Sequence, residues 1–410
     1  MGWPGEVRMS AETAAGDARA IMLDFARLTG LDPPGAGPKR YLWTDAFAVC
    51  NYLGLYRETG DATFRDLAIR LVGQVHHTLG KYRADGPKSG WISGLAEDEG
   101  ERHPTVGGLR IGKRLPERGR DEPPDERLEW DRDGQYYHYL TKWMHALARV
   151  SRVTGDPAFL GWAIELAKTA HARFTYTTRA GRRAMHWKMS IDLTYPLVPS
   201  MGQHDPLDGF VTYGELQQAA RVDFPGSSFP DLGAEIADMA GIARGTSLAT
   251  DDPLGTGGLL SDALWIAWIT GRGGPGSGGG SGRDPAGWLP RLLGDVMDAA
   301  LSGLDSFADS GCMGLPAEYR LAFRELGLSI GLAGVTDLRR AIGKSPALSG
   351  GDSSLQVQAE ALESYLPIGE SITRFWTGRE NQGTGSWTEH REINMVMLAT
   401  SLIPEGFLGI

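Results

Sequence analysis

A helical hairpin occurs twice in this chain, each time around a Thr-Gly-Asp turn, and that repetition restricts the fold more than any other feature. The first copy runs from Tyr41 to Gly80 and the second from Tyr136 to Phe174. Thr59-Gly60-Asp61 matches Thr154-Gly155-Asp156, and Phe64, Leu71 and His76 match Phe159, Leu166 and His171. One supersecondary unit used repeatedly points to a repeat architecture. In the first copy Leu42, Ala46, Val49, Leu53 and Tyr56 recur at helical spacing, so they share a face. Gly60 suits a left-handed helix stop, and Asp61 suits the cap of the returning helix.

Similar pairs can be drawn over Phe210 to Ala243, from Leu259 onward, over Leu315 to Ile342 and over Leu355 to Leu402. Alternating β-branched runs are nearly absent, so the chain reads as all-α. About six hairpins closed into a ring give an (α/α)6 barrel with long loops on one face. The expected division is an N-terminal extension with a first outer helix (1–39), then one barrel domain (40–410). A Gly-rich stretch at 271–287 has nothing to bury and is expected to be a flexible loop.

The formal charge of -10 argues against the clustered basic footprint of a nucleic-acid binder. Arg110, Lys113, Arg114, Arg118 and Arg120 form a local basic run, but acids between Asp121 and Glu129 offset it, and a solvated loop is expected. Cys50 and Cys312 are the two cysteines, as in a reducing compartment. The N-terminus shows no secretory pattern, and no uninterrupted apolar run of about 18 residues exists, so a cytoplasmic protein without membrane contact is expected. Oligomeric state is left open.

The run from Trp43 through Ala46 to Leu55-Tyr56, then Thr59-Gly60-Asp61 and Phe64, resembles a hairpin of the N-acylglucosamine 2-epimerase and six-hairpin glycosidase superfamilies. The stretch from Gly385 to Arg391 resembles the epimerase ending, in which a tryptophan and a histidine enter the barrel. The resemblance implies a sugar-like substrate and a site where inner helices begin. Four groups precede expected inner helices: Trp43 with Asp45; Trp130, Asp131, Asp133, Tyr137 and His138; His204, Asp205 and Asp208; and Trp387, Glu389 and His390. His186 and Trp187 stand in a segment, 185–209, whose composition suits a cleft wall. Aromatic faces with carboxylates are what a sugar ring needs.

Glycoside hydrolysis needs an Asp/Glu pair, one protonated and one ionised. Asp131 or Asp133 can supply one, and Asp205, Asp208 or Glu389 the other. A sugar epimerase needs paired bases, for which His390, His204 and His186 are candidates. His76, His145 and His171 read as core histidines. A third possibility is a non-catalytic helical repeat with an open solenoid, and a fourth, a terpenoid cyclase barrel, lacks an Asp-rich motif. Gly107 to Lys113 matches a phosphate loop only in part, because Arg114 stands where Ser or Thr belongs. The acids around His103 lack ligand spacing, and Asp251-Asp252 fits a turn. No metal or organic cofactor is expected. The expected partner is a small-molecule or oligosaccharide substrate.

Overall fold

The computed structural model describes residues 10–35, 37–271, 288–349 and 354–409. The expected flexible loop lies outside them, apart from Gly271.

The two repeat turns are built alike. Gly60 and Gly155 adopt the left-handed conformation (φ 71° and 72°), and their amides donate to the Tyr56 and Ser151 carbonyls. Asp61 accepts from the Thr63 amide at 3.0 Å and Asp156 from the Ala158 amide at 2.9 Å. Thr59 and Thr154 each donate to the carbonyl four residues back and accept from the Asp amide two residues on, at 3.2 Å in both copies. Two side chains and a left-handed glycine therefore stop one helix and start the next.

The first hairpin is α2 (Leu42–Thr59) and α3 (Ala62–Leu79), after α1 (Ala11–Leu28). The second is α4 (Tyr137–Thr154) and α5 (Pro157–Phe174), and the third is α6 (Asp205–Val222) and α7 (Gly233–Ala243). Next come α8 (Pro253–Gly271) and α9 (Trp288–Asp309), then α10 (Ala322–Ala333), α11 (Val335–Lys344), α12 (Ser354–Glu363), α13 (Leu366–Thr377) and α14 (Arg391–Leu402).

Among the described residues α2, α4, α6, α8, α10 and α14 each pack on the next, and α14 packs back on α2. An outer layer backs this ring: α3 on α2, α5 on α4, α7 on α6, α9 on α8, α13 on α10 and α1 on α14. The result is the (α/α)6 barrel. Two pairings differ from the sequence reading. The last inner helix takes its outer partner from the far end of the chain, α1, and α10 is backed by α13 rather than by α11, which packs on α8.

Helices of the inner layer are covered on all sides, which a one-sided stripe does not describe. Every residue of α2 from Leu42 to Leu55 is buried, including the polar Thr44, Asp45 and Asn51. By contrast, α3 buries one face through Phe64, Leu67, Leu71 and Val75. Where inner helices meet most closely, glycine is required: a Cβ on Gly257 of α8 would lie 2.1 Å from the Gly327 carbonyl of α10. The ring closes through Asn51, whose amide donates to Val396 at 3.0 Å and whose carbonyl accepts from Thr400 at 2.9 Å. Phe407, in a final short turn, stacks on Phe47 at 4.4 Å. An open solenoid is ruled out by these contacts.

Short strands occur in the connections. β1 (Gln135–Tyr136), β4 (Lys188–Met189) and β5 (Pro196–Val198) form an antiparallel sheet in the order β1-β4-β5, and β2 (Thr175–Thr177) pairs with β3 (Arg183–Met185). The loop from Lys81 to Arg132 is tied down by buried charge. Lys188, wholly buried, donates to the Glu129 carbonyl at 2.6 Å and the Arg132 carbonyl at 2.9 Å. Arg118 holds Glu129 at 2.6 Å, and Arg110 holds Asp133 at 2.8 Å. Arg110 and Arg118 are thus internal braces, which corrects the expected solvated loop for these two, while Arg114 and Arg120 are exposed.

Candidate active site

Many of the residues singled out in the sequence fall into two separate places. A cavity of about 320 Å³ at the barrel axis is lined by the beginnings of α2, α4, α6 and α8, with Trp187 and the 202–204 turn closing one side. It gathers Trp43, His138, Trp187, His204, Asp205 and Asp208. A groove of about 1130 Å³ beside it gathers Asp45, Asp131, Glu389 and His390.

In the cavity, α6 presents Asp205 and Asp208 in its first turn. Asp208 binds Lys142 of α4 at 2.6 Å and accepts from Thr141 at 3.2 Å. Asp262, from α8, lines the same cavity. Desolvation by burial, followed by the neighbouring charge of Asp208, pushes the Asp262 carboxyl well above the usual range, while Lys142 opposes the shift. Burial works against the Lys142 ammonium, yet Asp208 and Asp262 outweigh it and its pKa ends raised. Burial and Asp208 therefore favour the protonated form of Asp262, beside a salt bridge.

Asp205 is arranged differently. One oxygen lies 3.5 Å from His138 Nδ1, too loose for a formed hydrogen bond, and the other is buried without a partner. A side chain on Gly202 would strike this carboxylate, its Cβ falling 2.5 Å away. His204 Nε2 donates to the Leu248 carbonyl at 3.0 Å. Trp43 packs on Phe47 at 4.6 Å, and Trp187 stacks near-parallel to His138 at 6.3 Å. Phe407 forms part of the lining opposite.

Several expected site residues serve the scaffold. Asp133, with no exposed surface, accepts from Arg110 at 2.8 Å, Arg83 at 3.3 Å, Gly112 N–H at 2.9 Å and Gly134 N–H at 3.1 Å. With both oxygens so engaged it anchors a loop and offers nothing to a substrate. Asp45 caps α2 from within, bonding Arg40 at 3.0 Å and the Tyr41 amide at 2.9 Å, and burial pushes it up to about 6 despite Arg40. Tyr137 donates to Tyr213 at 2.8 Å between α4 and α6. His186 stacks on Tyr176 at 4.3 Å, where burial lowers its pKa. Trp387 stacks on Trp376 at 5.7 Å, in the short turn before α14 rather than on it. His390, exposed, packs edge-on against Phe323 at 5.6 Å. Neither Trp387 nor His390 enters the axial cavity, contrary to what the resemblance implied. Trp130 stands 56% exposed against the edge of Trp187 at 5.4 Å.

Sequence reasoning missed Lys142 and Asp262. Lys142 follows His138 by one helical turn, so spacing on α4 could have found it. Asp262 interrupts the apolar run LLSDALWIAWIT, where an uncompensated acid is itself a signal. Among the described residues, one group has metal-like geometry, His77 with Glu97 and Glu101, and it is exposed, with Lys81 already paired to Glu97. Core placement holds for His76 and His145; His171 is half-buried and meets Asp238 at 3.1 Å.

Fold and cavity define an (α/α)6-barrel protein with an axial pocket lined by carboxylates and aromatic rings, in which no described helix is long and apolar enough to cross a membrane. No protein-family model and no curated protein matches the chain. Among solved structures it is similar to the cellobiose 2-epimerase of Spirochaeta thermophila DSM 6192, at 13% identity over 95% of this chain and 97% of that one, TM-score 0.47. It is also similar to a D-mannose isomerase (12%, covering 89% and 87%, TM-score 0.46) and to an alpha-1,6-mannanase from Salegentibacter sp. HEL1_6 (9%, covering 95% and 99%, TM-score 0.47). Likeness at this level carries no reaction with it, and the chemistry has to come from the cavity's own side chains.

Proposed function

We propose that the protein is a carbohydrate-active enzyme that hydrolyses a glycosidic bond in the axial cavity. The observation that carries this reading is a pair of carboxyl groups in one cavity with different surroundings: Asp262, pushed upward by burial and Asp208, and Asp205 with a buried, unpartnered oxygen. Glycoside hydrolysis needs one carboxyl group as acid and a second as base, and these two share the cavity. Asp262 gives its proton to the glycosidic oxygen as the bond to the anomeric carbon breaks. Water bonds to that carbon, and its proton passes to Asp205. Trp43 and Trp187 offer apolar faces for the sugar ring, and His138, His204 and Lys142 offer polar contacts to hydroxyls. A volume near the lower end of the usual ligand range, about 300–1,000 Å³, suits a terminal sugar unit.

A second reading is favoured by His138 and His204 sharing the cavity: a sugar 2-epimerase in which the two imidazoles move a proton at the carbon beside a carbonyl. The deciding experiment incubates the purified protein with glycosides and free sugars in heavy water and follows products by NMR. New reducing-end signals that vanish in Asp262→Asn support hydrolysis. Deuterium entering C2 of a free sugar replaces it with epimerisation.

A further inference from the structure

The helices around the axial cavity divide its lining into two unlike halves. Its charged side chains come from three consecutive members of the inner ring: His138 and Lys142 of α4, Asp205 and Asp208 of α6, and Asp262 of α8. The remaining members, α10, α14 and α2, supply Ile330, Met397, and Trp43 with Phe47, and the final turn adds Phe407. Among the described lining residues of this second half, the Trp43 indole N–H is the one strong hydrogen-bonding side-chain group.

The apolar half is held in place by packing on both sides. Phe407 stacks on Phe47 at 4.4 Å, and Phe47 meets Trp43 at 4.6 Å. His145 Nε2, 3.0 Å from the Phe407 carbonyl, fixes the turn that carries the ring. Leu254, another lining residue, seals the seam with α10, where a Cβ on Gly327 would fall 2.4 Å from its Cδ1.

Such a surface selects what can face it. A hydroxyl turned toward it gives up its hydrogen bonds to water and finds none in exchange, whereas an alkyl group gains by leaving water. One aromatic platform is enough to stack the flat face of a sugar ring. Here the apolar lining continues past the rings onto aliphatic side chains of two further helices, and so encloses a group that projects from the ring. An acetamido group brings both a donor and an acceptor, and the Trp43 N–H can answer only the acceptor. A methyl group needs neither.

We propose that the cavity is a site for a deoxy sugar, whose methyl group sits against Ile330, Met397 and Phe407 while its hydroxyls meet the side chains of α4, α6 and α8. This rests on the reading of the cavity as a carbohydrate site and names its substrate class. The α10–α14–α2 half is then the part of the protein that discriminates a methyl from a hydroxymethyl substituent.

The test titrates the native full-length protein with free monosaccharides in pairs that differ only in that substituent: D-fucose and D-galactose, 6-deoxy-D-glucose and D-glucose, L-rhamnose and L-mannose. Calorimetry gives the affinity ratio within each pair, and saturation-transfer NMR shows which protons touch the protein. In at least one pair the deoxy sugar is expected to bind about tenfold to a hundredfold more tightly, the range open to an apolar pocket. Its methyl protons should receive the largest transfer. Ile330→Thr and Met397→Gln, on different helices, should each bring the ratio toward one, and a ratio taken within one protein is insensitive to a partly unfolded sample. Sugars that bind with no preference for the deoxy member in any pair overturn the methyl seat and leave the carbohydrate reading standing. A preference that both variants leave unchanged also overturns it. Binding of none of these sugars, together with no product in the heavy-water experiment above, overturns both readings.

Discussion

Asp262 is an acid placed in an apolar helix beside an existing ion pair, and it is expected to govern both rate and stability. Asp262→Asn should lower hydrolysis by about a hundredfold or more, the usual worth of a general acid. Native activity should fall as pH rises through the raised pKa, because the acid must carry its proton. The stability sign follows from the same shift: a carboxyl whose folded pKa lies above its unfolded value contributes most below the unfolded value and loses that contribution as pH rises. Asp262→Asn should therefore raise the denaturation midpoint at neutral and alkaline pH while the rate collapses, as followed by chemical denaturation beside initial rates. His76 runs the other way. Burial, with His77 adding to it, depresses its pKa to about 3, and it accepts from Trp143 Nε1 at 3.2 Å. Stability should drop as pH falls from about 6.5 toward 3, by several kcal/mol if protonation is complete. His76→Gln keeps an acceptor for Trp143 and should flatten that acid limb in circular-dichroism melts.

Turns and helices show which local rules were legible. Thr-Gly-Asp was read as a helix stop and start, and both copies have that form because the rule depends on residues only a few positions apart. Gly60→Ala tests it: the site has open space but φ of 71°, so about 1–2 kcal/mol of strain is expected with no loss of packing. Urea denaturation of the variant checks the figure. Burial was less legible at this scale. The stripe on α2 was read as one face, whereas the helix is covered all round, since two layers and a closing neighbour enclose it. Likewise Arg110 and Arg118, which read as solvated, brace a loop because their acidic partners Asp133 and Glu129 fold back onto them. Charge in sequence gives a balance and says nothing of who is buried with whom.

For the whole molecule, the closing contact lies between the end of the chain and α2. Gly406 rests on α2 so closely that a Cβ would fall 2.5 Å from the Cys50 carbonyl, and a Cβ on Gly54 would fall 2.9 Å from Gly406 Cα. Phe407 then stacks on Phe47, and its carbonyl lies 3.0 Å from His145 Nε2, whose other nitrogen meets Glu215 at 2.7 Å. Gly406→Ala should cost about 1–3 kcal/mol by overpacking this seam. Because Phe407 also lines the cavity, the variant should bind substrate more weakly as well, measured by calorimetry at a temperature where it remains folded.

By itself the sequence determined the helices, their capped turns and the tendency of about six hairpins to form a ring, because those follow from periodicity and short-range hydrogen bonding. It also marked most of the polar groups now found on one face of the barrel. Which of them share a site was decided only by the tertiary structure. Asp205 and Asp208 meet Lys142 and Asp262 from three different inner helices, while Asp131, Glu389 and His390 meet in the groove and Asp133 is consumed by the loop. The physical reason is distance along the chain. A carboxyl's proton depends on the charge and solvent within a few ångströms, and at the axis of a closed ring those neighbours come from segments far apart in sequence.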